Sequence, residues 1–399
     1  MRRGLLCAGI LVAGFVTIRC GGEKTPEAQK IEIGFFGALT GPQATFAISG
    51  RNGARLAIDQ LNAAGGVLGK KLDLLVEDDH NDPSEAASAV SKLITRDHVV
   101  ALIGEQASSR SLAAAPIAQN YQVPMVAPSS TNVEVTKKGD YIFRTCFLDD
   151  FQGRCMARFT ADSLKLKHVA VLKDIKNDYS VGLAKFFTEE FLKHGGTVLV
   201  EQSYSSNDQD YRAQLTKIKA KQPQAIIVPG YYTEVGLIVR QARELGLKIP
   251  VIGGDGWESE KLLEIGGEAM NGCYYTNHWS LDQQKPALQT FLAQYRAKFK
   301  SDPDAIGGLA FDAANILFDC MTKLAADDPA AFKGLASSKA GTEERKAATK
   351  KLRDLIAATA NYDGATGTIT LDANRDATKP AVVIAIRDGK KVYDCTLNP

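Results

Sequence analysis

HVAVLKDIKNDYSVGLAKFFTEEFLKHGGTVLVEQ, residues 168–202, decides the fold. His168–Leu172 is a short Val-rich run that reads as a strand, Val181–Lys193 as an amphipathic helix, and Val198–Gln202 as the next strand. Such βαβ alternation argues for a parallel sheet covered by helices. Downstream it continues through helical Tyr211–Lys221, strand-like Ala225–Val228, helical Val235–Leu245 and the short strand Val251–Gly253. An earlier series runs from the strand Ile31–Phe36 through Gly53–Leu61, where Ala54, Ala57, Ile58 and Leu61 stand at helical spacing. It then alternates through Leu72–Val76, Ser84–Thr95, Val99–Ile103, Ser111–Asn120 and Pro124–Val126, followed by Tyr141–Arg144. Two series separated near residues 145–150 predict an α/β protein of two doubly wound, Rossmann-like lobes.

The tail changes character. Pro286–Lys300 and Gly307–Ala325 read as long helices, and Asp327–Lys351, rich in Ala, Lys, Ser and Glu, as a surface excursion. Gly367–Leu371, Ala381–Arg387 and Lys391–Asp394 read as a small antiparallel finish, with Asp388-Gly389 as a hairpin turn.

Composition fits that architecture. The 399 residues are 45% hydrophobic and 24% charged, a globular composition long enough for two or three domains. Lys and Arg number 48 against 46 Asp and Glu, a formal charge of +2. Removing residues 1–19, which carry Arg2, Arg3 and Arg19, leaves 45 against 46, or −1. Neither balance carries the basic excess of a nucleic-acid binder.

The N-terminus reads as an export signal. Arg2 and Arg3 precede a 14-residue apolar stretch, Leu5–Ile18, short of the roughly 20 residues a membrane span needs but suited to a signal-peptide core. Cys20 follows, and then the polar, Gly/Pro-containing segment Gly21–Lys30. The order resembles a bacterial lipoprotein signal in which the cysteine becomes the lipidated first residue, although Arg19 stands where that pattern has a small residue. An ordinary secretory peptide with an incidental Cys20 is the other reading. Of the remaining cysteines, Cys146, Cys155, Cys273, Cys320 and Cys395 are odd in number, and none stands at CxxC spacing.

No catalytic or metal constellation emerges. Gly65–Lys71 lacks the leading glycine and final Ser/Thr of a phosphate loop, and Gly254-Asp255-Gly256 lacks the third glycine of a dinucleotide fingerprint. His80, His98, His168, His194 and His278 never fall at metal-ligand spacing, and each reads as a surface or strand-edge residue. Glu77-Asp78-Asp79 reads as a solvated strand end. Neither a cofactor nor a metal is expected.

What remains are polar loops beyond predicted strand ends, where open α/β sheets bind ligands. Gly104–Ser109 leads straight into a helix, and hydroxyls with N–H groups at a helix N-terminus suit a carboxylate. Simple N-capping by Ser108 or Ser109 is the plainer alternative. Ala127–Asn132 offers further hydroxyls, and Gly254–Trp257 offers one carboxylate, Asp255, between glycines that let a ligand approach. Two hydroxylic loops in one lobe and an acidic one in the other fit a zwitterion held between lobes.

These residues also carry a family pattern. Ile33-Gly34-Phe35-Phe36-Gly37-Ala38-Leu39-Thr40-Gly41-Pro42, the Asp59-x-x-Asn62-x-x-Gly65-Gly66 spacing, Asp82-Pro83, Ser108 and Pro128-Ser129-Ser130-Thr131 stand in order. Arg144-Thr145, Gln152-Gly153, Asp178-Tyr179 with Gly182, and Val239–Gly246 continue it. Over roughly residues 31–320 the sequence resembles the branched-chain amino acid binding proteins of ABC importers, the leucine/isoleucine/valine type. The resemblance implies a type I periplasmic-binding fold of two lobes joined by three crossovers around a closing cleft. It implies a signal peptide over 1–19, a tether over 20–30, an N-terminal lobe of 31–147 with 277–360, and a C-terminal lobe of 148–276 with 361–399.

Carried over by position, the resemblance gives Ser108 and Thr131 the ligand's α-carboxylate, with a backbone group of Ser129 assisting. Asp255 pairs with the α-ammonium, where relatives often have Glu, and Tyr179 closes over it. Tyr231 adds a pocket aromatic, although Tyr232 beside it leaves that register open. Phe46 flanks the ligand side chain, with Ile306 at the apolar end; each could equally be a core residue. The implied function is an exported substrate-binding protein, periplasmic or anchored through Cys20, that delivers an amino acid to ABC permease subunits and catalyses nothing. The alternatives are the same role for an aromatic acid, another small carboxylate or an amide, or a ligand-sensing module for a receptor. Asn81 and Ala107 stand where some members carry disulfide cysteines.

Overall fold

The computed structural model describes Met1 and residues 30–398; the expected signal peptide, most of the tether and Cys20 lie outside the described residues. Two parallel sheets form, one per lobe, because each Val/Ile-rich run is followed by a helix that must bury one face against it. In the first, β1 (Ile31–Gly37), β2 (Leu72–Asp78), β3 (Ala101–Ile103), β4 (Met125–Ala127) and β5 (Ile142–Arg144) lie in the order 2-1-3-4-5. The connections carry α1 (Ala44–Ala63), α2 (Pro83–Thr95) and α3 (Ser108–Tyr121). After α4 (Asp149–Arg158), the second lobe repeats the plan with β6 (His168–Asp174), β7 (Thr197–Tyr204), β8 (Ala225–Ile227), β9 (Val251–Gly253) and β10 (Tyr274–Asn277). Its helices are α5 (Asp178–Lys193), α6 (Arg212–Ala220), α7 (Tyr232–Glu244) and α8 (Glu260–Gly266). Each sheet reverses its strand order beside its first strand, and such a switch point opens a crevice at the carboxyl ends of the strands.

Three crossings join the lobes. The chain leaves β5 for α4, returns after β10 to α9 (Pro286–Phe299) and α10 (Ala305–Asp327), and crosses again before β13 (Ala381–Arg387) and β14 (Lys390–Leu397). β13 pairs antiparallel with β10 and with β14, closing a seven-stranded sheet. Asp388 and Gly389 make the turn between them, both at positive φ.

The tail departs from the sequence reading in two places. Residues 327–351 are not a surface excursion: α11 (Pro329–Ser337) and α12 (Glu343–Ala357) bury Phe332, Leu335, Ala348, Leu352 and Ile356 in the first lobe's core. The apolar spacing 348-352-356 is helical, and the lysines around it obscured that. The C-terminal lobe also does not resume at residue 361. β11 (Tyr362–Gly364) and β12 (Gly367–Ile369) form a ribbon on the first lobe, and Ile369, Leu371 and Ala377 join that lobe's core. Asp312 of α10 holds the ribbon by accepting the backbone N–H of Ala365 and Thr366, each at 2.8 Å. The third crossing therefore falls after Ala377.

α10 is long and apolar because it is buried, packing against α1. A Cβ on Gly53 of α1 would run into the Gly307 carbonyl of α10, so only glycine permits the close crossing. Ser49 of α1 donates to Asp304 at 2.5 Å, and Asp304 caps α10 by accepting from Gly307 N–H at 2.9 Å. Cys146, Cys155, Cys273, Cys320 and Cys395 are all free thiols.

Candidate functional site

The lobes are shut on one another. Ser109 of α3 donates to Asp178 of α5 at 2.7 Å, and Asn132 Nδ2 donates to the Asp178 carbonyl at 2.9 Å. On the other rim Thr233 donates to the Pro42 carbonyl at 2.7 Å, and Thr45 meets Ser259 at 3.1 Å. Between the rims lies a small cavity. The first lobe lines it with Phe46, Gln106, Ser108, Ser129, Thr131 and Ile306, the second with Tyr179, Tyr231, Asp255 and Gly256. All eight residues singled out in the sequence thus meet at one place, together with Gln106 and Gly256.

Each arrives for a local reason. Ser108 is the first residue of α3, and no side chain caps that helix; its hydroxyl instead accepts the Asn132 N–H at 3.2 Å. Simple N-capping therefore does not explain this serine. The first-turn N–H groups of a helix have no partner further back, which favours an anion there. Ser129 donates to the Gln106 carbonyl at 3.0 Å, tying the second hydroxylic loop to the first. Thr131 Oγ1 is buried without a hydrogen-bond partner. The Ser130 carbonyl in that loop accepts from Arg144 at 2.7 Å.

In the second lobe, Asn177 caps α5 by accepting the N–H of Tyr179 and Ser180, which fixes the start of Tyr179. Tyr179 accepts from Gly256 N–H at 3.0 Å and stacks on Tyr231 with ring centres 5.3 Å apart. The glycines beside Asp255 serve this packing. A Cβ on Gly256 would stand 2.8 Å from the Tyr179 ring and 2.6 Å from the Gly230 carbonyl. Tyr231, not Tyr232, lines the cavity; Tyr232 turns to Thr45, whose N–H donates to its hydroxyl at 3.4 Å. Phe46 packs edge-on against both rings.

Asp255 has partners that sequence reading missed. Gln152 of α4 donates to its Oδ1 at 2.9 Å, and His278, just past β10, meets its Oδ2 at 3.0 Å. His278 is thus no surface residue: it is buried and stacks on Phe147 at 3.9 Å. Burial holds its imidazole below the ordinary 6.5, with the bond to Asp255 offsetting part of that. Both partners lie on the inter-lobe crossings, so the acidic group of the cleft is tied to the hinge. No sequence signal pairs a lone histidine with an aspartate 23 residues away.

One acidic expectation also changes. Asp79 is not solvated; it is buried 3.7 Å from Arg110, which pairs with Glu105 at 3.1 Å. Burial and the neighbouring Glu105 push Asp79 up to about 8. Glu105 therefore turns away from the cavity, whereas its neighbour Gln106 lines it.

Asp149 opens α4 as a fully buried carboxyl whose nearest side-chain donor is the Thr131 hydroxyl. Burial, with the Asp255 charge second, pushes it well above its ordinary 3.8. A carboxyl neutral in the fold but ionised in the unfolded chain lowers stability as pH rises from 3.8 toward the folded value. Asp149→Asn is therefore expected to raise the thermal midpoint at neutral pH and to match the parent near pH 3. Melting curves across that range check this, and an offset independent of pH contradicts it.

Comparison with known proteins adds the following. A family model described as periplasmic binding protein matches residues 30–391. The leucine-, isoleucine-, valine-, threonine- and alanine-binding protein of Pseudomonas aeruginosa is 32% identical over 330 residues, 82% of this chain and 86% of that protein. The leucine binding protein LivK of Thermotoga maritima superposes with a TM-score of 0.84 at 36% identity, over 92% of this chain and 99% of that one. LivJ of Streptococcus pneumoniae, a branched-chain amino acid transporter substrate binding protein solved with isoleucine, gives a TM-score of 0.82 at 31% identity, over 93% and 100%. A Rhodopseudomonas palustris solute binding protein solved with benzoate shares the fold at 20% identity and a TM-score of 0.80, over 93% and 97%.

Proposed function

The chain belongs to the periplasmic binding protein family, and on that premise we propose that it captures a free amino acid in its interlobe cavity and delivers it to the membrane subunits of an ABC importer. One observation carries the reading. A buried carboxylate, Asp255, faces from one lobe a cavity that the other lobe lines with Ser108 at the start of α3 and with Ser129 and Thr131 in the loop after β4. An α-carboxylate suits the hydroxyls and the helix N-terminus through charge-assisted hydrogen bonds, and an α-ammonium suits Asp255. The two ends of one zwitterion then bridge the lobes. A ligand that touches both lobes binds the shut form more strongly and so draws the equilibrium toward it.

Phe46, Tyr231 and Ile306 leave an apolar wall for the side chain. An aromatic acid without an amine would leave Asp255 facing no cation, so the amino-acid reading is favoured. We read the cavity as binding without catalysis: His278 spends Nε2 on Asp255, and among the described residues no cavity hydroxyl hydrogen-bonds to it. Isothermal calorimetry of the purified chain against the L-amino acids tests the proposal; one-to-one reversible binding is expected, and no binding of any of them sinks it.

Family membership carries an exported location. For the N-terminus, we propose that residues 1–19 are removed and that Cys20 carries lipid, with residues 20–30 as the tether. Mass spectrometry of the N-terminal peptide from expressing cells reads this directly, and an unmodified Cys20 refutes the anchor.

A further inference from the structure

Gln106 is the cavity residue without an assigned task. It is 3% exposed, and both its amide nitrogen and its amide oxygen are buried without a hydrogen-bond partner. Its backbone is occupied, since the carbonyl accepts from Ser129; the side chain is not. The amide occupies a niche that two glycines create. A Cβ on Gly37, at the end of β1, would collide with its Oε1, and one on Gly50, in α1, would stand 3.2 Å from its Nε2. Gly50 lies one helical turn beyond Phe46, which places the niche on the side of the cavity that Phe46 lines.

An amide in such a place is costly. A buried donor or acceptor left unpaired gives up its hydration with nothing in exchange, and native structures leave few such groups without a partner or a reason. Leucine or methionine would fill a similar space with no polar group to satisfy. Ser108, Thr131 and Asp255 account for the ends of a zwitterion, so Gln106, Phe46, Tyr231 and Ile306 remain for what distinguishes one amino acid from another.

Resting on the amino-acid reading above, we propose that Gln106 is a specificity-determining residue whose amide hydrogen-bonds a hydroxyl or amide on the ligand's side chain. A hydroxyl can donate to Oε1 and accept from Nε2, satisfying both orphaned atoms at once. An aliphatic side chain of the same shape leaves both unpaired. Sites built around a hydrogen bond reject the analogue that lacks it far more strongly than an apolar pocket rejects an added methyl. The ligand class is then small polar amino acids, in preference to aliphatic ones of equal size.

Two near-isosteric pairs test this: threonine against valine, and asparagine against leucine. Calorimetry on the parent chain is expected to show a polar member bound at least about tenfold more tightly than its partner in at least one pair. Gln106→Met, which keeps the length and removes the polar atoms, is expected to erase or reverse that ratio. Aliphatic members bound as tightly as the polar ones by the parent chain overturn the proposal while leaving the amino-acid reading intact. A polar preference that survives Gln106→Met also overturns it, because the hydroxyl or amide is then read elsewhere. If Gln106→Met does not fold, Gln106→Leu takes its place with the same expected loss of the ratio. Binding of no amino acid at all is a different failure, that of the parent reading.

Discussion

Asp255→Ala abolishes measurable amino-acid capture, with an expected loss of about 3–5 kcal/mol, a hundredfold to several thousandfold in Kd. The size follows from where the carboxylate sits. It is 8% exposed, in a cavity closed by both lobes, so a ligand ammonium brought there has little water to replace its partner. Most of the loss is the cost of leaving that ammonium buried and unpaired. Asp255→Asn discriminates charge from shape, because an amide keeps the volume and an acceptor for Gln152 or His278. If the carboxylate's charge is what matters, Asn fails nearly as badly as Ala. Ser108→Ala and Thr131→Val, each removing one neutral donor, are expected to cost less, about 1–2 kcal/mol apiece. Calorimetry on the four variants gives the ranking, and unchanged affinity in both Asp255 variants would place the ligand elsewhere.

The second large effect is on stability. Arg144 is 0% exposed; its Nε stands 2.6 Å from Asp376, its Nη1 donates to the Ser130 carbonyl at 2.7 Å and its Nη2 to Thr136 at 3.1 Å. Removing one member of such a pair strands the other in the interior, at about 3–5 kcal/mol. Arg144→Met is therefore expected to lower the urea midpoint sharply. Adding Asp376→Leu should recover much of the loss, because the stranded carboxylate goes with it. Arg144 also holds the loop that presents Ser129 and Thr131, so weakened ligand binding should persist in the double variant even where stability returns. A double variant as unstable as the single one would mean that the arginine's bonds to Ser130 and Thr136, not its pairing with Asp376, carry the energy.

Much of this was legible beforehand. Helical and strand-like periodicity is local, so each βαβ unit could be read from its own residues, and the ligand crevice followed from where the strands end. The resemblance then placed eight residues that the structure gathers around one cavity. What escaped notice depended on distance along the chain. Gln152 and Asp255 are 103 residues apart, and Thr136 and Asp376 are 240 apart; no periodicity joins such pairs. His278 looked like an isolated histidine because its phenylalanine platform and its aspartate arrive from other elements. The lysines of α12 mask its amphipathic face, and the lobe that holds the β11–β12 ribbon is set by contacts distant in sequence, the buried Asp312 and the core around Ile369 and Leu371.

By itself the sequence determined the two doubly wound lobes, the loops at their strand ends and a net charge near zero, because those depend on short-range pattern and composition. Tertiary structure alone decided that Glu105 turns away and Gln106 does not, that Asp255 leans on the hinge, and that Asp149 and Asp79 are buried. Those outcomes depend on burial and on partners brought from distant parts of the chain, and a side chain's charge, direction and hydrogen bonds are fixed only when its neighbours arrive.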